Sequence, residues 1–139
     1  MSAAARPATR MWIPQDNPSV YKALVALQRA SSAGVDPELA ELIVIRASQL
    51  NGCAYCLHMH TSDALAKDID PHKLMMIAAW REAGSAFTPA ERAALALTES
   101  VTLIGENGVP DDVFDSARAH FDAAAMGHAR QCFQRRIHG

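Results

Sequence analysis

Within the segment RASQLNGCAYCLHMHTSDAL, residues 46–65, two cysteines and two histidines fall inside eight consecutive positions, from Cys53 to His60. A thiolate can act as nucleophile, metal ligand or disulfide partner. The pair Cys53 and Cys56 therefore admits three chemistries: a metal clip, a structural disulfide or a working dithiol. If Gly52 stops one helix and Cys53 opens the next, Cys53 stands in a first turn. There, backbone N–H groups without helical partners and the helix dipole favour a thiolate. Steps of three and four residues return to the same face of a helix, so Cys53, Cys56 and His60 form one line, a dithiol with a base beside it. His58 points to a different side.

Each chemistry makes its own demands. Structural zinc wants a fourth ligand, usually from a second close pair of cysteines or histidines. The sequence has no such pair, and His72, His120 and His128 could join only through tertiary folding. An inert packed pair is the bland alternative. Structural bridging is disfavoured by the odd count of three cysteines, the last being Cys132, in a chain expected to work in a reducing compartment. A thioredoxin-type dithiol would follow a strand, whereas here a helical segment precedes the motif. Glu41 lies twelve residues before Cys53, among the apolar Leu42, Ile43, Val44 and Ile45. Burial there would raise its pKa and suit it to proton transfer near neutral pH. The alternative is an ordinary exposed helix glutamate, or a partner for Arg46.

The elements that must position these groups are all helical by pattern. Asn17-Pro18 and Asp36-Pro37 each supply a cap followed by proline at the first helical position, opening helices that end at Gly34 and at Asn51-Gly52. The first of them sets Tyr21, Leu24, Leu27 and Gln28 on one side. A third helix spans Cys53 to about Lys67. Asp70-Pro71 begins a fourth that closes at Gly84. Thr88-Pro89 with Glu91 reads as a capping box for a fifth carrying Leu95, Leu97, Val101 and Leu103 or Ile104, and VPDDVFDSARAHF begins a sixth. No alternating strand pattern of useful length appears. The fold class is all-α, with six to seven helices and the CxxC at the start of a central helix. Residues 1–16 are expected to be a loosely held lead, 17–139 a single domain, and the tail 122–139 a short or frayed helix.

Composition bounds the partners. The chain has 139 residues, enough for one domain that buries about two thirds of its unfolded surface without metal or disulfide support. The net charge of −2 and the scattered basic residues leave no stripe for phosphates, so nucleic acid is not an expected partner. No apolar run approaches the roughly 20 residues of a membrane span, and MSAAARPATR lacks a signal-peptide core. No membrane partner and a cytoplasmic location are expected.

The segment ELIVIRASQLNGCAYCLHMHTSDAL resembles the core of the alkylhydroperoxidase D (AhpD) type proteins, within the carboxymuconolactone decarboxylase superfamily. Their signature is Glu, eleven residues, Cys, two residues, Cys, three residues, His, matched here by Glu41, Cys53, Cys56 and His60. The flanks VYKALVAL, AAWREAGSAFTPAERAALALTESVTLI and VPDDVFDSARAHF extend the similarity over residues 17–121. The resemblance implies a peroxidase that works through a cysteine pair, without haem, flavin or another cofactor and with no metal. In it Cys56 attacks the hydroperoxide, Cys53 closes the disulfide, and His60 and Glu41 relay protons. It implies a dithiol reductant, such as a lipoylated or thioredoxin-like protein, and a homo-oligomer, trimeric or hexameric. Two features depart from the pattern. Tyr55 precedes Cys56 where the best-characterised branch resembles CxHC, and GHARQCFQRRIHG replaces the usual apolar last helix. Other readings are lactone decarboxylation, which the superfamily also contains, and a non-enzymatic zinc or interaction module.

Overall fold

Four helices open with proline directly behind a capping residue, and these junctions set the architecture. The computed structural model describes residues 13–127, and every regular element in that range is helical. In order these are α1 (Ile13–Asp16), α2 (Pro18–Ser32), α3 (Pro37–Asn51), α4 (Ala54–Ala66), α5 (Pro71–Met76), 3₁₀ turns at Ile77–Ala79 and Gly84–Ala86, α6 (Pro89–Thr102) and α7 (Asp111–Arg118), with residues 123–127 helical as well. The Asp36 carboxylate accepts the Leu39 amide at 3.0 Å, and the Asp70 carboxylate accepts the His72 amide at 2.9 Å. Thr88 and Glu91 form the reciprocal capping box expected of them, at 3.2 and 2.8 Å. Asn17 occupies its cap position without a side-chain cap bond, and its side chain instead accepts from Ser19 at 3.4 Å. The N-terminal lead as far as residue 12, and the tail from 128 with Cys132 and His128, lie outside the described residues.

The α3 helix is the centre of the molecule. Its run from Leu39 to Ile45 is buried on every side, including Glu41. One flank joins Leu42 and Ile45 to Ala64, Ile69, Leu74, Ile77, Trp80, Phe87 and Leu95. The other joins Leu39, Ile43 and Val44 to Ala94, Leu97 and Ala117. An α-helix that is apolar all round must be covered all round, and α4, α6 and the turn at Ile77–Ala79 supply most of that cover.

The structure corrects several expectations about the helices. The fourth helix does not run to Gly84; α5 stops at Met76 and the chain tightens into 3₁₀ turns. Ile77, Trp80 and Phe87 are all buried within this short stretch. The Arg92 guanidinium donates to the carbonyls of Trp80, Arg81 and Gly84 at 3.0, 3.1 and 3.3 Å, satisfying acceptors of the irregular stretch that follows α5. Gly84 has φ +57° and opens a turn rather than ending a helix. The second correction concerns α2, whose Tyr21 and Leu27 are exposed together with Val20; Ser31 is its buried residue. Of the expected side, Tyr21 and Leu27 are thus exposed, while Leu24 and Gln28 are half-buried. Leu103 and Ile104 also lie beyond the end of α6 and are exposed. No described helix is long and apolar enough to cross a membrane.

Candidate active site

A single glycine joins the two helices that carry the site. Gly52 has φ +64°, a left-handed conformation that a side chain would strain. From it the amides of Gly52 and Cys53 turn back to the carbonyls of Gln49 and Ser48, at 3.2 and 3.1 Å. This Schellman closure ends α3 and delivers Cys53 directly as the N-cap of α4. The Cys53 sulfur accepts the Cys56 amide at 3.3 Å. The two cysteines are joined as a disulfide, with Cα atoms 5.3 Å apart. Cys53 is half-buried and Cys56 is 9% exposed, so the first sulfur lies nearer solvent than the second.

One turn beyond Cys56 stands His60, 3% exposed, and across from it on α3 is Glu41, 7% exposed. His60 Nδ1 lies 3.5 Å from Glu41 Oε2. The other carboxylate oxygen, Oε1, accepts from Lys67 Nζ at 2.5 Å. Glu41 is therefore a buried carboxylate, as expected, but its partners are His60 and Lys67. Arg46 turns elsewhere, to Glu99 through Nε at 2.9 Å and to Gln49 at 3.0 Å. His58 is exposed on the far side of α4, and Tyr55 is 59% exposed.

The expected rise of the Glu41 pKa is corrected. Burial does push it up, and this is the largest single influence. Hydrogen bonding and charge from His60 and Lys67 together outweigh it, and the carboxyl is held below its ordinary range. A depressed acid contributes stability that is present above its unfolded pKa and lost as pH falls through its folded one. Urea denaturation over an acidic pH series should show this loss in the wild type, and Glu41→Gln should remove that component. An identical pH dependence in both proteins would contradict the pairing.

The structure thus brings Cys53 against Cys56 and His60 against Glu41, all four within two consecutive helices. In this state the sulfurs are spent on each other, so neither is a zinc ligand. His72, on α5, and His120, beyond the end of α7, are exposed. Asp63 adds an exposed carboxylate to the group, its polar atoms and those of Glu41 and His60 gathering within 4.8 Å of one another. The residue missed from the sequence is Lys67. Its signal was present: it follows His60 by seven residues, two turns on the same face of the helix.

Comparison with known proteins agrees with this arrangement. The model of the carboxymuconolactone decarboxylase family matches residues 18–100, from the start of α2 into α6. The uncharacterised protein YdfG of Bacillus subtilis is 37% identical over 106 residues, 76% of this chain and 71% of YdfG. A crystal structure from Agrobacterium tumefaciens superposes with a TM-score of 0.83 at 33% identity, covering 90% of this chain and 86% of that one. It is described as a protein of unknown function and a candidate antioxidant-defence protein AhpD. With a helical frame shared at that level, and a CxxC opening the helix that packs on the centre of the molecule, the chain belongs to the carboxymuconolactone decarboxylase family as an AhpD-like member.

Proposed function

We propose that this protein is a cysteine-based thiol–disulfide oxidoreductase that reduces hydroperoxides. The observation that carries the reading is a disulfide-forming pair whose second cysteine lies one helical turn before His60, itself backed by the buried Glu41. The Cys56 thiolate attacks the terminal oxygen of the hydroperoxide, forming an S–O bond as the O–O bond breaks. The alcohol leaves with a proton passed through His60 and Glu41, and Cys56 becomes a sulfenic acid. The Cys53 thiolate then attacks the Cys56 sulfur, forming the S–S bond as the S–O bond breaks, and the departing hydroxide leaves as water with a proton passed through His60 and Glu41. An external dithiol, such as a lipoylated or thioredoxin-like protein, returns both cysteines to thiols and is itself oxidised to a disulfide. No haem, flavin or metal enters the scheme.

The same reading places the protein in the cytoplasm, where thiols are kept reduced. It also makes the protein a homo-oligomer, a trimer or hexamer. The exposed apolar side chains of α2, Val20, Tyr21 and Leu27, are ones that a second copy would cover, and sedimentation equilibrium reads the subunit number.

The test is to mix fully reduced protein with tert-butyl hydroperoxide and follow peroxide loss and the Cys53–Cys56 bond by mass spectrometry. Consumption faster than free cysteine, with stoichiometric disulfide, is expected. A rate no faster than free cysteine would reject the proposal. The matched family is named for lactone decarboxylation, and lactone turnover that survives replacement of both cysteines by serine would place the chain in that branch instead.

A further inference from the structure

Lys67 touches the acid of the dithiol site and has no part in the scheme above. We infer that it is a positioning residue of that site: its ammonium on Glu41 Oε1 holds the carboxylate ionised with Oε2 toward His60, and so sets the pH at which Cys56 becomes reactive. This inference rests on the peroxidatic reading of Cys56.

The geometry is specific. Lys67 caps the C-terminal end of α4, where a cation also complements the helix dipole. Its side chain is 45% exposed, yet Nζ reaches the Glu41 carboxylate, whose side chain is 9% exposed, at 2.5 Å. A flexible stem thus runs from solvent to a buried acid. Oε2, sealed from solvent, is left to face His60 Nδ1 at 3.5 Å.

Charge balance gives the contact its consequence. From α3 the site receives Glu41; from α4 it receives Cys53, Cys56, His60, Asp63 and Lys67. The neighbouring cations are engaged elsewhere: Lys73 is held by Glu38 and Glu91 at 2.7 and 2.6 Å, and Arg46 by Glu99 at 2.8 Å. Among the described residues, Lys67 is thus the cation paired with Glu41, in a group that also holds the Asp63 carboxylate. Without it the Glu41 carboxylate loses its ammonium partner on the helix pair that carries Cys56, and the added negative potential disfavours a thiolate there. The lost opposition moves the onset of Cys56 reactivity upward in pH.

The experiment uses the full-length reduced protein as wild type, Lys67→Met and Lys67→Arg. Iodoacetamide labelling of Cys56 is followed against pH by mass spectrometry, tert-butyl hydroperoxide consumption is measured over the same range, and thermal midpoints serve as a folding control. In Lys67→Met both profiles should move up by about one pH unit, the size expected for loss of a close opposite charge. That corresponds to about a tenfold loss of labelling rate below the midpoint. Lys67→Arg keeps the charge and should restore most of the profile. Superimposed labelling profiles for wild type and Lys67→Met overturn the inference, as does a uniform loss at every pH without displacement, which marks a structural effect alone. If the wild type consumes no hydroperoxide, the peroxidatic reading falls, and the labelling profiles still decide the role of Lys67.

Discussion

Cys56→Ser should abolish hydroperoxide consumption, whereas Cys53→Ser should permit one turnover and then stop. The reason lies in the different surroundings of the two sulfurs. Cys56 is the buried one, one turn from His60, in the place where a proton can be moved as the O–O bond breaks. Cys53, at the helix start and nearer solvent, is suited to close the disulfide and to meet the external reductant. In Cys53→Ser the sulfenic acid has no resolving partner, so a dimedone adduct on Cys56 should accumulate to about one per chain. His60→Ala should slow the first step by about 10²–10⁴-fold, the usual share of a positioned acid–base group. The reverse pattern, with Cys53→Ser inactive and a trapped adduct on Cys53, would exchange the roles of the two cysteines.

Leu42→Ala and Ile43→Ala should each destabilise the protein by about 2–5 kcal/mol, through lost transfer energy and the cavity left behind. These residues are adjacent in sequence but belong to opposite flanks of α3, Leu42 with Trp80, Phe87 and Leu95, and Ile43 with Ala94, Leu97 and Ala117. Both side chains are essentially inaccessible, at 0% and 1% exposed. Against a typical total of about 5–15 kcal/mol either change removes a large fraction of stability. Because one helix serves both flanks, each variant should still unfold in a single urea transition with an unchanged slope. Two resolved transitions would show that the flanks are separate cooperative units.

Much of the site was legible because its signals are local. The Gly52 stop, the Cys53 cap and the spacing to Cys56 and His60 all act within a few residues, where backbone geometry decides the outcome. Burial of Glu41 followed from four apolar neighbours on the same helix. What could not be read was the competition between burial and partners. The sequence offered Arg46 as the nearby cation, five residues along α3 from Glu41, but tertiary packing gave Arg46 to Glu99 and brought Lys67 from the next helix. Burial alone would have raised the Glu41 pKa, and it is the hydrogen bonding and charge of His60 and Lys67 together that bring it down instead. The early end of α5 was hidden for a similar reason, since Arg92 on α6 takes the carbonyls of the 3₁₀ region from a distance in sequence. Periodicity also could not say which apolar faces meet each other, and so missed that α2 leaves Tyr21 and Leu27 exposed.

Every group assigned to the chemistry lies between Glu41 and Lys67, on one antiparallel hairpin of helices folded about Gly52. Bringing these groups together requires closing only a short loop, whose entropic cost is small beside that of pairing distant segments. Assembly of the reactive centre is therefore nearly independent of how the remaining helices are ordered along the chain. Lengthening or recombining those outer segments would alter what reaches the sulfurs long before it altered the sulfurs themselves.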